Sequence, residues 1–241
     1  MKPLKIILIG YGRMGHEIEK AALKRGHEIV LHIDKDNQDR LTANHLQTGD
    51  VAIEFSVPDA AYNNIMTCFK AGLPVVSGTT GWLDKYYDLR KYCLENDQTF
   101  FYASNFSIGV NLFFKLNKYF AQIMNKYSNY DVSIEETHHK HKLDAPSGTA
   151  VTIAESIMQE MSRKQKWTKT ENAEESEISV QSVRENEVPG IHKVSYESEF
   201  DQIDIKHSAK SREGFSLGAV MAAEFIADKK GIYSMDDLLK L

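Results

Sequence analysis

The feature that most constrains the fold of this chain is a glycine-rich turn close to its start. The apolar run Ile6-Ile7-Leu8-Ile9 is followed directly by Gly10-Tyr11-Gly12-Arg13-Met14-Gly15. A short run of β-branched residues that ends in glycines is typical of a buried parallel strand. Apolar residues then recur at helical spacing over 16–24, and a second apolar run over 28–33 closes at Asp34. This order of strand, turn, helix and strand predicts a βαβ unit.

Within that unit, the spacing G-x-G-x-x-G predicts a dinucleotide-binding site. Gly10 would permit the tight turn, Gly12 would let the backbone approach a pyrophosphate, and Gly15 would allow close packing of helix on strand. The first turn of the helix would offer N–H groups and a positive dipole end to the diphosphate. Asp34, 19 positions past Gly15, would accept hydrogen bonds from the adenosine ribose. The alternative is a glycine-rich turn that binds no nucleotide.

The same rhythm of strand and helix continues to about residue 104. Strands are predicted over 51–56, 74–78 and 99–103, and helices over 59–71 and 84–95, with a loop over 35–50 that holds at most one helical turn. Strands that alternate with helices predict an α/β fold with a Rossmann-type, doubly wound parallel sheet. The loop Gly78-Thr79-Thr80-Gly81 would admit the nicotinamide half of a cofactor or serve as a plain structural turn.

The pattern changes in the second half of the chain. A helix over 109–126 leads to an alternating strand at 130–135, a histidine cluster, a helix that opens at Ser147-Gly148-Thr149, and a polar segment, 162–176, predicted as a surface loop or a frayed helix end. Three strands follow at 177–184, 191–199 and 202–208, before a helix over 217–228 and an amphipathic turn at 235–239. Strands without intervening helices predict a second, α+β domain with a mixed or antiparallel sheet.

The histidine cluster between Glu136 and Thr149 carries the densest reactive chemistry. It holds three of the nine histidines and two lysines just after a strand. One interpretation is a metal site, although lysines repel a dication and adjacent histidines on an extended segment face opposite ways, so we expect no metal. A second is a solvated, charged loop. A third is a site for an anionic substrate, in which a histidine or lysine supplies a proton and the opening helix binds a carboxylate.

Five ordered segments together resemble the dihydrodipicolinate reductase family. The stretch from Glu136 to Ala150 is similar to the family's E-x-H-H-x-x-K-x-D-x-P-S-G-T-A motif, and the segments 10–15, 78–80, 103–111 and 207–215 also match in order. The resemblance implies an NAD(P)H-dependent oxidoreductase of the cytoplasm. It would reduce 4-hydroxy-tetrahydrodipicolinate or dihydrodipicolinate to tetrahydrodipicolinate in diaminopimelate and lysine biosynthesis, with hydride delivered to C4 and a proton to C3.

The resemblance also implies roles for individual residues and domains. His138 and Lys142 would be the proton donors. His139, Ser147, Gly148 and Thr149 would bind the dicarboxylate substrate. NADH or NADPH would contact a larger set: Gly10, Tyr11, Gly12, Arg13, Met14, Gly15, Asp34, Lys35, Gly78, Thr79, Thr80, Ala103, Ser104, Asn105 and Phe106. Residues 1–104 and 213–241 would form the dinucleotide-binding domain, and 105–212 a substrate-binding domain that assembles a homotetramer through its sheet.

Composition excludes other classes of protein. A net charge of −5 gives no cationic surface for nucleic acid. No apolar run approaches the roughly 20 residues of a membrane span. Cys68 and Cys93 are too few for a disulfide framework. Two alternative functions stay open: another imino- or oxo-acid reductase on the same scaffold, and a non-catalytic NAD(P)-binding redox sensor, which would need no polar cluster at 136–149.

Overall fold

The computed structural model describes residues 2–241, and the chain forms two compact units. The first unit runs through Ile108 and resumes over Glu213–Leu241, and the second is Gly109–Arg212. The first break therefore lies at residue 108, rather than at 104 as predicted. The binding roles assigned to the two domains stay predictions.

The strands and helices follow one another in an order close to the predicted one. The strands are β1 (Lys5–Ile9), β2 (Glu28–Ile33), β3 (Val51–Glu54), β4 (Val75–Ser77), β5 (Thr99–Tyr102), β6 (Asp131–His138), β7 (Lys166–Thr168), β8 (Glu177–Arg184), β9 (Ile191–Glu197), β10 (Gln202–Ser208) and β11 (Gly231–Tyr233). The α-helices are α1 (Arg13–Lys24), α2 (Ala43–Leu46), α3 (Pro58–Lys70), α4 (Tyr86–Glu95), α5 (Ile108–Met124), α6 (Gly148–Glu160), α7 (Glu213–Ile226) and α8 (Met235–Leu239).

The sheet of the first unit is fully parallel and confirms the Rossmann-type prediction. Its six strands lie in the order β11-β5-β4-β3-β1-β2. The chain moves from β1 outward to β2 and then crosses to β3 on the other side of β1, so the strand order reverses between β1 and β3. The β1 residues Ile6 to Ile9 are at most 1% exposed, because separate apolar clusters cover the two faces of the sheet. Ligands of such sheets bind outside the strands' carboxyl ends at the reversal.

Two parts of the first unit differ from the prediction. The segment 35–50 is not a loop with one helical turn, since it contains the 3-10 helix Lys35–Arg40 and the short helix α2. Both are too short and polar to show a hydrophobic period. The edge strand β11 was not predicted either. It has three residues, and its pairing with β5 determines its conformation.

The sheet of the second unit is mixed, as predicted. Its order is β10-β9-β6-β8-β7, with β8 parallel to both β6 and β7, and β9 antiparallel to β6 and β10. One face is apolar and belongs to a buried cluster with residues of α5 and α6, including Phe113, Ala121, Ile153 and Ile157. The side chains of β6 alternate accordingly, so that Val132, Ile134 and Glu136 are all buried.

The prediction for residues 162–176 is wrong in one respect, because the segment contains β7. Its anchor is Lys164, which is 2% exposed and donates from Nζ to the carbonyl oxygens of Glu175 and Glu177 at 2.8 and 2.7 Å. Nζ also forms an ion pair with Asp131 of β6. These three acceptors hold the polar segment against the sheet, which its composition does not indicate.

Two findings bear on the expectations from composition. Within residues 2–241, none of the helices combines the length and the apolar character needed to cross a bilayer. Cys68 of α3 and Cys93 of α4 are buried free thiols. Burial raises the pKa of the Cys93 thiol to about 11 and raises that of Cys68 as well, so both are packing residues rather than reactive groups.

The contact between α7 and the backbone of Phe106 gives a test of the fold. A Cβ on Gly218 would lie 1.8 Å from the carbonyl oxygen of Phe106, whereas one on Gly214 of the same helix would meet only Ser107 Oγ at 3.9 Å. We expect Gly218→Ala to lower the free energy of unfolding by about 3 kcal/mol or more. Gly214→Ala should be neutral or raise it by up to about 1 kcal/mol. Urea denaturation compares them, and equal stabilities would contradict the packing described.

Candidate active site

The glycine-rich turn of the first unit has the geometry that a diphosphate needs. Gly10 has φ +91°, and a Cβ there would lie 2.1 Å from the carbonyl oxygen of Phe55, so only glycine fits. Gly12 caps the N-terminus of α1, and a Cβ on it would meet no atom within 4 Å. The turn therefore leaves open space beside Gly12, next to the first-turn amides of α1, Arg13 and Met14 among them. These residues fit the diphosphate of a dinucleotide.

Asp34 and Lys35 lie just past the carboxyl end of β2, as predicted, and both are exposed. Asp34 Oδ1 accepts from the backbone N–H of Lys35 at 2.9 Å, and the Asp34 N–H donates to Asn37 Oδ1 at 2.7 Å. This capping box holds the Asp34 carboxylate at the same edge of the sheet as the glycine turn.

Tyr11 belongs to a polar cluster that the sequence did not indicate. Its hydroxyl donates to Glu19 of α1, and Glu19 also bonds the imidazole of His32 at 3.1 Å. The phenol ring lies 4.1 Å from His16 and 4.2 Å from His32 between centroids. The hydrogen bond to Glu19, with burial, raises the pKa of Tyr11. These contacts anchor the Tyr11 side chain on α1 and β2.

The other predicted cofactor residues of the first unit lie at the ends of β4 and β5. The N–H of Gly78 donates to the Glu54 carbonyl at 3.0 Å, and the N–H of Ala103 to the Ser77 carbonyl at 3.3 Å. Thr79 is buried, whereas Thr80 and Ser104 are exposed and Asn105 is half-buried. The Phe106 ring is 2% exposed and packs on Phe55 and Phe101, so its side chain belongs to the core.

In the second unit, His138 is paired with a buried carboxylate. His138 ends β6, and its Nδ1 hydrogen-bonds Glu136, which is two residues earlier and has no exposed surface. A carboxylate accepts and does not donate, so His138 Nδ1 carries the proton of this bond. The second ring nitrogen, Nε2, is left as the atom that can exchange a proton with a ligand. This is the arrangement of a histidine held in one tautomer by an acid.

Glu136 has further partners from β8 and from the start of α6. Its Oε1 accepts from Arg184 of β8 at 2.8 Å and from the N–H of Ser147, the N-cap of α6, at 3.2 Å. Burial alone would raise the pKa of Glu136, but hydrogen bonds from His138, Arg184 and Ser182 outweigh it and hold the pKa at about 2. The carboxylate is therefore charged near neutral pH, and it fixes His138 relative to the start of α6.

His192 of β9 completes the cluster. Its Nε2 lies 3.2 Å from Ser147 Oγ, and its ring lies 5.1 Å from that of His138 between centroids. Burial and the nearby His138 lower the pKa of His192 to about 3, so His192 is neutral.

Glu136, His138 and His192 offer atoms within 4.8 Å of one another, which a metal ion could bridge. Because the Arg184 guanidinium already lies on the Glu136 carboxylate, a hydrogen-bonded network is favoured over a dication. The absence of a metal requirement stays a prediction.

Lys142 lies in the turn that follows β6. Its Nζ contacts both carboxylate oxygens of Asp144, at 2.7 and 2.8 Å. Asp144 also receives a hydrogen bond from the backbone of Gly148, the first residue of α6. Burial opposes but Lys142 and this backbone bond outweigh it, so the pKa of Asp144 is lowered. The start of α6 and Lys142 thus already hold a carboxylate together.

The structure brings most of the predicted substrate residues to the same place. Ser147 caps α6 and accepts from the N–H of Ala150 at 3.2 Å, which places Gly148 and Thr149 in the first helical turn. His139 is half-buried, and its Nδ1 has no hydrogen-bond partner among residues 2–241. Burial, together with the charge of Arg212, lowers the pKa of His139. A neutral imidazole at this position can orient a ligand by a hydrogen bond.

Sequence reasoning missed Arg184 and His192 because strand register, not proximity in sequence, brings them to the site. Arg184 lies opposite His138 in the β6/β8 pairing, and His192 lies opposite Glu136 in the β6/β9 pairing. A signal for His192 existed, since it shares its face of β9 with the buried Val194 and Tyr196.

Comparison with family models covers nearly the whole chain. Residues 4–106 match the model described as dihydrodipicolinate reductase, N-terminus, and residues 109–239 match the model described as dihydrodipicolinate reductase, C-terminus.

Similar curated proteins are named 4-hydroxy-tetrahydrodipicolinate reductase. The one from Christiangramia forsetii is 52% identical over 236 residues, covering 98% of each chain. The one from Archaeoglobus fulgidus is 35% identical over 258 residues, covering 95% of this chain and 96% of the relative.

Solved structures support the fold. A dipicolinate-bound dihydrodipicolinate reductase from Paenisporosarcina sp. TG-14 superposes with a TM-score of 0.76 at 22% identity, covering 98% of this chain and 99% of the other. A probable dehydrogenase from Thermotoga maritima gives a TM-score of 0.59 at 10% identity, covering 98% and 92%.

The burial of His192 predicts acid sensitivity. An unfolded histidine takes up a proton below its ordinary pKa of 6.5, while folded His192 stays neutral down to about pH 3. The unfolded state therefore binds more protons in this window, and stability falls as the pH drops through it. Between pH 7 and pH 5, the wild type should lose about 2 kcal/mol more stability than His192→Asn.

Urea unfolding at both pH values measures this difference. The exposed His141→Asn serves as the matched control and should keep the wild-type pH dependence. Equal losses for the wild type and His192→Asn would show that His192 is not a buried neutral group.

Proposed function

Because this chain belongs to the dihydrodipicolinate reductase family, we propose that it catalyses the NAD(P)H-dependent reduction of dihydrodipicolinate, which 4-hydroxy-tetrahydrodipicolinate forms by losing water, to tetrahydrodipicolinate, a step of diaminopimelate and lysine biosynthesis. The observation that carries the proposal is the grouping at the start of α6. A histidine held by a buried carboxylate, a lysine and a helix N-terminus converge there, which are the groups needed to bind an anionic substrate and protonate it.

The first unit would hold the cofactor. When bound, NADH or NADPH supplies the hydride for the reduction. The turn 10–15 would bind the diphosphate, Asp34 and Lys35 the adenosine ribose, and the segments 78–80 and 103–106 the nicotinamide end. The open space beside Gly12 and the exposure of Asp34 support these assignments.

His138 is proposed to deliver the proton to C3 of the substrate. Glu136 holds His138 Nδ1, so the proton leaves from Nε2, and the negative charge of Glu136 stabilises the imidazolium that precedes transfer. Arg184 keeps Glu136 charged and in place. Lys142 is proposed to assist, by protonating or polarising the negative charge that develops in the substrate.

Substrate binding is proposed to use the first turn of α6. The amides of Gly148 and Thr149 lie at the positive end of that helix and suit a carboxylate. Ser147 fixes their position as the N-cap, and His139, with its buried Nδ1, would orient the ring by a hydrogen bond.

The alternatives are weaker on structural grounds. A redox sensor without catalysis would not need His138 and Lys142 each paired with a carboxylate. A reductase of another small imino or oxo acid would use the same groups. Activity assays with different substrates distinguish the two functions. The homotetramer, assembled through the sheet of the second unit, stays a proposal that rests on the family.

The role of His138 can be tested by substitution. His138→Ala should lower kcat by about 10²–10⁴, the usual loss for a general acid, while the affinity for NADH stays nearly constant. Lys142→Ala should be comparably damaging, and the double variant less than additive if the two residues act together.

Oxidation of NADH at 340 nm with enzymatically generated dihydrodipicolinate measures these rates. The exposed His141→Ala is the control from the same cluster and should keep near-native kcat. A His138→Ala enzyme with near-native kcat would remove His138 from the mechanism.

The pair Asp34 and Lys35 predicts use of both cofactors. Asp34 suits the ribose hydroxyls of NADH and would repel the 2′-phosphate of NADPH, whereas the adjacent, exposed Lys35 offsets that repulsion. A cation near this edge of the sheet would further favour the 2′-phosphate of NADPH. The exposed residue at the N-cap of α3 is Val57, which is uncharged, so we expect a modest preference for NADH. Values of kcat/KM for both cofactors at one ionic strength test this. A ratio above about 10³ would exceed what this compensation allows.

A further inference from the structure

Glu54 is a fully buried carboxylate in the first unit that the reaction does not use. It ends β3, next to the reversal of strand order, and lies opposite Ile9 of β1 and Ser77 of β4 in the strand pairing. Its exposed fraction is 0%. Among residues 2–241, no lysine, arginine or histidine forms an ion pair with it.

Neutral donors surround this carboxylate instead. Glu54 Oε2 accepts from Ser77 Oγ at 2.6 Å, and Oε1 accepts from Thr79 Oγ1 at 3.0 Å. Oε1 also accepts from the N–H of Ser56 at 3.1 Å and from the Ser56 hydroxyl. Four donors thus converge on two oxygen atoms, which is the pattern of an acceptor-only group.

These donors come from two different chain segments. Ser56 belongs to the segment that leaves β3, which contacts Gly10 through the carbonyl of Phe55. Ser77 and Thr79 belong to β4 and the loop that follows it. Thr79 Oγ1 also accepts from the N–H of Ser56 at 2.9 Å, so the two segments are joined directly as well as through Glu54.

A buried carboxylate without a cation is expensive to desolvate, and a fold keeps one only where hydrogen bonds compensate for the loss of water. A glutamine would be cheaper to bury, but its amide would present two donors where the structure needs acceptors. The two segments meet at the carboxyl edge of the sheet, where Rossmann-type folds bind their ligand. The hydrogen bonds to Glu54 therefore hold the two segments in a fixed position at this edge, in addition to any contribution to stability.

We propose that Glu54 is a positioning residue for cofactor binding, because it fixes the loop at 78–80 and the segment at 55–57 in the conformation that receives the nicotinamide end of NAD(P)H. Glu54 does not touch the cofactor in this proposal and acts through Thr79 and Ser56. The inference rests on the proposed function, in which the 78–80 loop is part of the cofactor site.

Glu54→Gln tests the proposal, with Glu224→Gln as the matched control. Glu224 is also a largely buried carboxylate of the first unit, but it pairs with Arg25 and His27, far in sequence from either loop. Binding of NADH is measured by the change in nicotinamide fluorescence on titration with protein, thermal unfolding gives stability, and steady-state kinetics separate KM from kcat.

We expect Glu54→Gln to raise the Kd and the KM for NADH at least about tenfold, with kcat at saturating NADH within about threefold of the wild type. Glu224→Gln should lower the melting temperature without changing the Kd. Ser77→Ala, which removes a single donor to Oε2, gives a second test if Glu54→Gln does not fold, and it should raise the Kd by about two- to fivefold.

Three results would overturn the inference. One is an unchanged Kd in Glu54→Gln, or in Ser77→Ala where only that variant folds. Another is an equal rise in Kd in Glu54→Gln and Glu224→Gln when both variants lose the same stability. The role of Glu54 would then be structural only. A wild-type protein that binds neither NADH nor NADPH would overturn the proposed function itself, and this inference with it.

Discussion

When both faces of a parallel strand are packed in apolar clusters, its side chains are not available to bind a ligand. β1 is such a strand. Its four apolar residues are packed between two separate clusters, so the groups proposed to bind the cofactor lie past the ends of strands instead. The glycine turn, Asp34 and the loop at 78–80 all follow strands at the same edge. Among residues 2–241, Glu54 is the one buried acidic side chain in the strands of that sheet, and it lies at this edge too.

In the second unit, polar side chains lie within the strands instead of past their ends. Its sheet has one apolar face, so side chains alternate and a polar residue can be placed inside by position alone. Glu136 follows Val132 and Ile134 on the buried face of β6, and His192 precedes Val194 and Tyr196 on that of β9. Strand register therefore brings Glu136, Arg184 and His192 together around His138, and Ser147 at the N-cap of α6 completes the network.

Local patterns predicted the elements that carry a clear period. The strand, turn and helix at the start of the chain, the parallel first sheet and the mixed second sheet all follow from spacing of apolar residues. The failures have a common cause, since β7, β11 and the helices within 35–50 are short, and partners distant in sequence hold them. Lys164 shows this best, because a lysine in a polar segment gives no sign that it will be buried against backbone carbonyls.

In the site, the motif at 136–149 indicated His138 and Lys142, whereas Arg184, His192 and Glu54 needed the pairing of strands to be known. The alternation of apolar and polar residues before Glu136 in β6 indicates in the sequence that Glu136 lies on the buried face.

The return of the chain to the first unit has a consequence for how the protein is made. Helix α7 supplies Ala219, Val220, Ala222, Ala223 and Ile226 to the cluster that covers Ile6 and Leu8 of β1. During synthesis the ribosome must add the entire second unit before this helix emerges. The part of the first sheet's face that α7 covers then stays open on the nascent chain, so the first unit completes its core only after the second has had time to fold. Residues in contact across some 200 positions also imply a slow search for that last contact.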